Sequence, residues 1–175
     1  ALGIGNHEEA YIKYNHFDLY DYLANDLMKQ PELKIGYDGF VKVIVGDSKT
    51  TNTKRAVDFY LTHGAKGGGF TEGYPVTYIH SIAKEKEADI YLAGHIHQLV
   101  LDVKDKIGMD VAGNRKDVRK VYAVCGSWLE KYKQGTSSYF ESARGWQTTK
   151  GYIKIKISIK NHNHLLEITP EICFV

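Results

Sequence analysis

Cysteine is scarce in this chain of 175 residues. There are two, Cys125 and Cys173, far apart and each in an apolar setting. That excludes a disulfide scaffold and a CxxC metal site, and reads as two buried free thiols in a reducing compartment. No run of eighteen apolar residues occurs, so nothing in the sequence is long enough to span a bilayer. No signal-peptide pattern is visible, and there is neither an internal repeat nor a low-complexity tract. An excess of one charge is also missing: 23 Lys and Arg stand against 21 Asp and Glu, a net charge of +2. That balance neither demands nor excludes nucleic acid. Together these absences predict a cytoplasmic protein without membrane contact.

What is present suits one globular domain. Hydrophobic residues make up 43% and charged residues 25%, near the globular average. A chain of this length can bury roughly 70% of its unfolded surface. LGIG at the start reads as a strand running into a turn. From Glu9 to Lys29 the apolar residues Ile12, Leu19, Leu23 and Leu27 fall near a 3.6 period, which predicts a helix closed by Pro31. Residues 40–46 and 55–63 read as strands, 74–87 as a helix, and 88–98 as an apolar strand ending in a Gly-His cluster. The remainder reads as mostly β. Ile153, Ile155, Ile157 and Ile159 alternate with lysines, the signature of a strand with one solvated face. Residues 108–120 read as an exposed loop between strands, and residues 165–175 as a final strand. The expected class is α/β in the first half and β-rich in the second.

Chemistry collects around the eight histidines. Asn6-His7 follows Gly5, His63 precedes Gly64, and His95 and His97 follow Gly94. Each cluster stands at an expected strand end, where loops and ligands meet in open α/β sheets. Glycine there permits a sharp turn and the close approach of a ligand. Imidazole is the commonest protein ligand for metals, and an Asn carbonyl is an oxygen donor of intermediate hardness. A lone strand-end histidine is more often a hydrogen-bonded structural residue. Three such clusters, all flanked by glycine, favour a metal site, and their donor set suits Mn, Fe or Zn. His16, His80, His162 and His164 read as ordinary. The Gly67-Gly68-Gly69 run lacks the GK[ST] ending of a phosphate-binding loop.

The order G-N-H-E at 5–8, a strand ending in His63-Gly64, and G-H-I-H at 94–97 resembles the calcineurin-like metallophosphoesterases, from the first residue to about Gln98. The resemblance implies a four-layer αββα sandwich with two mixed β-sheets. It implies two divalent metal ions (Mn, Fe or Zn) that polarise a phosphoryl oxygen and supply a hydroxide nucleophile. Residue by residue, it implies that Asn6, His63 and His95 hold one metal and His97 the other. It implies that His7 contacts the phosphate and assists the leaving group, with Glu8 as the acidic residue behind it. The implied function is hydrolysis of phosphate mono- or diesters. The alternatives are a nuclease of the same family, acting on DNA or RNA, and a non-catalytic fragment or degenerate interaction domain.

One departure is specific. The family pattern begins with D-x-H and then G-D-x-x-D, upstream of GNH[DE], and neither precedes Gly5 here. Gly46-Asp47 comes after GNHE and lacks the second Asp, so it reads as a turn. The expectation is a single, N-terminally incomplete domain over residues 1–175, without its first strands. Its expected partners are a phosphate ester substrate and either the missing N-terminal segment or a second copy of itself. The basic stretch at 115, 116, 119 and 120 is the one feature pointing toward a polyanion, although a solvated loop is the plainer reading.

Overall fold

The computed structural model describes residues 2–46, 54–64, 73–110, 112–128, 149–160 and 165–175. Strand β1 (Leu2–Gly3) leads through Gly5 into helix α1 (Asn6–Asn15). A short helix α2 (Leu19–Asp21) runs on into a π-helical turn at Tyr22–Leu27. Strands β2 (Lys34–Gly36), β3 (Asp38–Val45) and β4 (Arg55–Thr62) follow. Helix α3 (Tyr74–Glu85) precedes β5 (Ile90–Ala93), β6 (Leu99–Met109), β7 (Arg115–Cys125), β8 (Gly151–Lys160) and β9 (Leu165–Phe174).

The central sheet has five strands in the order β3-β4-β5-β7-β6. Its middle strands β4, β5 and β7 run parallel, and the flanking strands β3 and β6 run antiparallel to them. The parallel strands read as continuous apolar runs because both of their faces are covered. On one face, Tyr60, Tyr91, Tyr122 and Val124 pack against Ile79 of α3. On the other, Val57, Ile90 and Val121 pack with Ile168 of β9 and with Ile155 and Ile157 of β8. The expected alternation of β8 thus points its isoleucines inward, while Lys154 and Lys156 are exposed. Among the described residues the layers run α3, central sheet, β8–β9 hairpin, a mixed α/β arrangement. No helix of the described residues is long and apolar enough to cross a membrane.

Two expectations are corrected. The first helix begins at Asn6 rather than Glu9 and does not continue to Lys29. It stops where His16 takes a left-handed backbone with φ 54°, a conformation that cannot propagate a right-handed helix. Residues 108–120 are not a loop. Gly108 pairs with Lys116 and Met109 with Arg115, so β6 and β7 extend as one hairpin. The carboxylate of Asp110 closes its turn by accepting the amides of Ala112 and Asn114 at 2.9 and 2.8 Å. Polar residues concealed these strands because the ribbon runs beyond the core. The other elements lie where the sequence placed them, with ends shifted by a few residues. Asp47, the Gly67–Gly69 run, His162 and His164 lie outside the described residues.

Candidate metal centre

Sheet register builds the site. Because β4 and β5 are parallel with Thr62 beside Ala93, the next residues, His63 and Gly94, leave the sheet side by side. The amide of Gly94 donates to the Thr62 carbonyl at 3.0 Å. The chain then turns, with the Ile96 amide on the Gly94 carbonyl at 2.7 Å. His95 and His97 both take left-handed backbones, φ 64° and 59°. Such conformations are uncommon outside glycine, and each costs on the order of 1 kcal/mol or more.

The N-terminal segment is brought to the same edge by its own hydrogen bonds. Strand β1 pairs with β2, and the Ile4 amide donates to the Gly36 carbonyl at 3.0 Å. The Tyr20 hydroxyl binds both strands, donating to Leu2 O and accepting from Gly36 N. Gly5 caps α1 with extended backbone, and the Glu8 carboxylate accepts its amide at 3.0 Å. Glu8 therefore sits behind the Gly5–Asn6 turn and fixes it. Gly5 is needed for close approach: a Cβ there would lie 2.5 Å from Cε1 of His63.

Three donors meet. Nε2 of His63 lies 2.9 Å from Oδ1 of Asn6 and 3.0 Å from Nδ1 of His95. One ring nitrogen carries either a hydrogen or a lone pair, and neither satisfies both neighbours with linear hydrogen bonds. A cation accepted by all three does. Ligands about 2.0–2.2 Å from one ion stand roughly 3 Å apart, and both distances from His63 match that spacing. Burial, and then the neighbouring His95, lower the pKa of His63, keeping its imidazole in the neutral form that metals require. The donor set therefore fits a divalent cation of borderline character. Among the described residues no three side chains of His, Cys, Asp or Glu form such a group; the third donor here is an amide oxygen.

The other expected residues are placed less tightly. His7, in the first turn of α1, is exposed and near enough for its charge to act on His63. His97 is half-buried in the loop between β5 and β6. Two further groups were not anticipated, Tyr37 beside the cluster and His80 on α3. Tyr37 sets its ring edge-on to His63 at 6.0 Å, and its carbonyl accepts the His63 amide at 2.7 Å. His80, expected to be ordinary, places Nε2 2.6 Å from the Asp102 carboxylate and its ring 4.1 Å from that of Tyr122. Burial opposes the Asp102 charge, yet His80 and Lys104 hold that carboxyl below its usual pKa. The sequence offered no signal for this pair, because α3 and β6 meet only in the tertiary structure.

The basic stretch is largely neutralised. Arg115 pairs with Asp117, and Arg119 makes a two-pronged contact with Asp105 at 2.9 and 3.2 Å. Lys120 is buried against Glu87, Asp89 and the Ala88 carbonyl. Comparison with family models, curated proteins and solved structures gives no match for the chain.

Proposed function

We propose that the chain is part of a calcineurin-like metallophosphoesterase domain that hydrolyses phosphate mono- or diesters. The observation that carries this reading is the convergence of Asn6 Oδ1, His63 Nε2 and His95 Nδ1 within 3.0 Å of one another's neighbour in a chain, at the ends of β1, β4 and β5. These residues hold one divalent ion, Mn, Fe or Zn, and His97 is assigned to a second. When bound, such ions supply Lewis-acid polarisation of a phosphoryl oxygen. The described layers correspond to three of the four in the αββα sandwich that the reading requires.

The chain's own residues supply the rest. His7 stands exposed in the first turn of α1, where an imidazolium can donate a proton to a leaving oxygen. The amino-terminal end of α1 favours an anionic ligand through its dipole. Glu8 keeps the turn in place through the Gly5 amide. The nuclease alternative draws no support from the basic stretch, since three of its four cations are already paired.

The D-x-H and G-D-x-x-D ligands of the family pattern do not precede Gly5 in this sequence. The expected result is therefore twofold. The 175-residue chain binds Mn²⁺ but releases little p-nitrophenol from mono- or bis-p-nitrophenyl phosphate. A version extended by those two motifs turns over, and His7→Ala in it removes most turnover while metal binding survives. Robust turnover by the short chain would overturn the ligand assignment, and Asp47 would be the first residue to test.

A further inference from the structure

Strand β3 closes one side of the central sheet, and among the described residues no strand pairs with its outer edge. The register with β4 fixes which groups that edge presents. The His63 amide donates to the Tyr37 carbonyl at 2.7 Å, and these two residues stand opposite each other in the register that pairs Asp38 with Thr62. Opposed residues of an antiparallel pair alternate between those that exchange hydrogen bonds and those that do not. The odd-numbered residues of β3 therefore bond to β4, and Asp38, Phe40, Lys42 and Ile44 turn their amides and carbonyls outward. The side chains of these four share one face of the sheet. That face is open: Phe40 is 56% and Ile44 65% exposed. Phe40 meets the Tyr60 ring edge-on at 5.0 Å, and Lys42 reaches Asp58 at 3.2 Å. A strand of eight residues at a sheet edge, without proline and with exposed apolar groups, is a template for another strand.

We propose that β3 pairs antiparallel with β3 of a second copy of this chain, across a two-fold axis at Phe40, so that one sheet runs through both copies. The inference is independent of the hydrolase reading. Charge selects the register. In a two-fold contact the position of the axis fixes every pair. Strand β3 carries two charged residues, Asp38 and Lys42. With the axis at Lys42, two lysines meet directly, which is unfavourable. With the axis at Val41, both charges face apolar residues. Only with the axis at Phe40 does Asp38 of each copy face Lys42 of the other, and the two Phe40 rings then face each other. Every residue in these pairs already points its backbone groups outward. The central rung becomes four rings, Tyr60 and Phe40 from each copy. In the rungs beside it, Lys42 stands between its own Asp58 and Asp38 of the second copy. The hydrogen bond that Asp38 accepts from Tyr60 orients the carboxylate without neutralising it, since a phenol carries no charge.

Sedimentation velocity of the 175-residue chain measures the association. The contact is shorter than a standard interface of roughly 1,600 Å², so the dimer should be reversible between about 10 μM and about 1 mM. Asp38→Lys sets lysine against lysine, and Lys42→Glu sets acid against acid. Each change alone should weaken the dimer about tenfold, the sum of two reversed cross-strand pairs. An equal mixture of the two variants should associate as the parent does, because both cross-copy pairs are then of opposite charge; that recovery also shows that both variants are folded. Opposed residues that exchange hydrogen bonds have Cα atoms about 5.5 Å apart, within the roughly 4.4–6.8 Å that a disulfide spans. In a chain with Cys125 and Cys173 replaced by Ser, Phe40→Cys should therefore link two copies under mild oxidation, read on a non-reducing gel. Ile44→Cys, which faces Gly36 of the second copy in this register, should not link at that rate. A parent that stays monomeric at about 1 mM, a mixture that associates no better than its two parts, or equal linking at positions 40 and 44 would each overturn the proposal.

Discussion

Nε2 of His63 stands 3.0 Å from Nδ1 of His95, a contact that ties the end of β4 to the loop after β5. Burial and the nearby His95 depress the His63 pKa below its ordinary 6.5. Between the folded and unfolded pKa values the unfolded chain binds more protons, so stability rises with pH across that window. The contribution is complete above about 6.5 and is lost as pH falls through the folded value. In metal-free buffer the urea midpoint of the parent should therefore drop between pH 7 and pH 5 more than that of His63→Gln. Identical slopes would show that His63 takes up its proton as freely folded as unfolded.

Gly5 lies against the His63 ring, and the argument for its necessity is steric. An added methyl would stand 2.5 Å from Cε1 and 2.7 Å from Nδ1 of His63, so the ring must move. Gly5→Ala should cost about 1–3 kcal/mol of stability, the usual range for overpacking. It should also weaken Mn²⁺ or Zn²⁺ binding at least about tenfold, since a displacement of that size breaks the three-donor geometry. Unchanged calorimetric affinity in a folded Gly5→Ala protein would mean that Asn6 and His63 do not share an ion.

Lys120 is a buried cation at the opposite end of β5. Burial lowers its pKa, but Glu87 and Asp89 outweigh that and the net shift is upward. Its folded pKa exceeds the unfolded value of 10.5, so the stability it confers is full below that pH and is lost as pH rises through the folded value. Lys120→Ala should cost about 1–3 kcal/mol by denaturant melts. That is less than for a fully buried pair, roughly 3–5 kcal/mol, because Glu87 remains solvated. Lys120→Met should cost less than Lys120→Ala and should remove the alkaline loss of stability above pH 10.

Cys125 ends β7 with its thiol pushed by burial up to about 11. The thiolate is the reactive form. Iodoacetamide at pH 8 should therefore modify Cys125 in native protein far more slowly than in protein unfolded by urea. Mass spectrometry of a timed digest measures both rates. Equal rates would show that β7 opens readily at its C-terminal end.

Much of the site was legible from local sequence because each donor carries its own geometric cue. Gly5, Gly64 and Gly94 stand beside Asn6, His63 and His95 at the ends of apolar runs. A strand that must stop, turn and expose a ligand uses such a residue pair, and this can be read within a few positions. The isoleucine alternation of β8 was equally local. What local pattern could not supply was any relationship between distant segments. The break of the first helix depends on His16 taking a left-handed backbone, which no period reveals. The β6–β7 ribbon hides among charged residues because cross-strand pairs such as Asp105 with Arg119 stabilise it in place of a core. The meeting of His80 with Asp102 rests on the packing of α3 against the central sheet. Composition and spacing determined which residues could do chemistry. Strand register decided which of them stand together, because the parallel pairing of β4 with β5 sets residues 32 apart in sequence 3.0 Å apart in space.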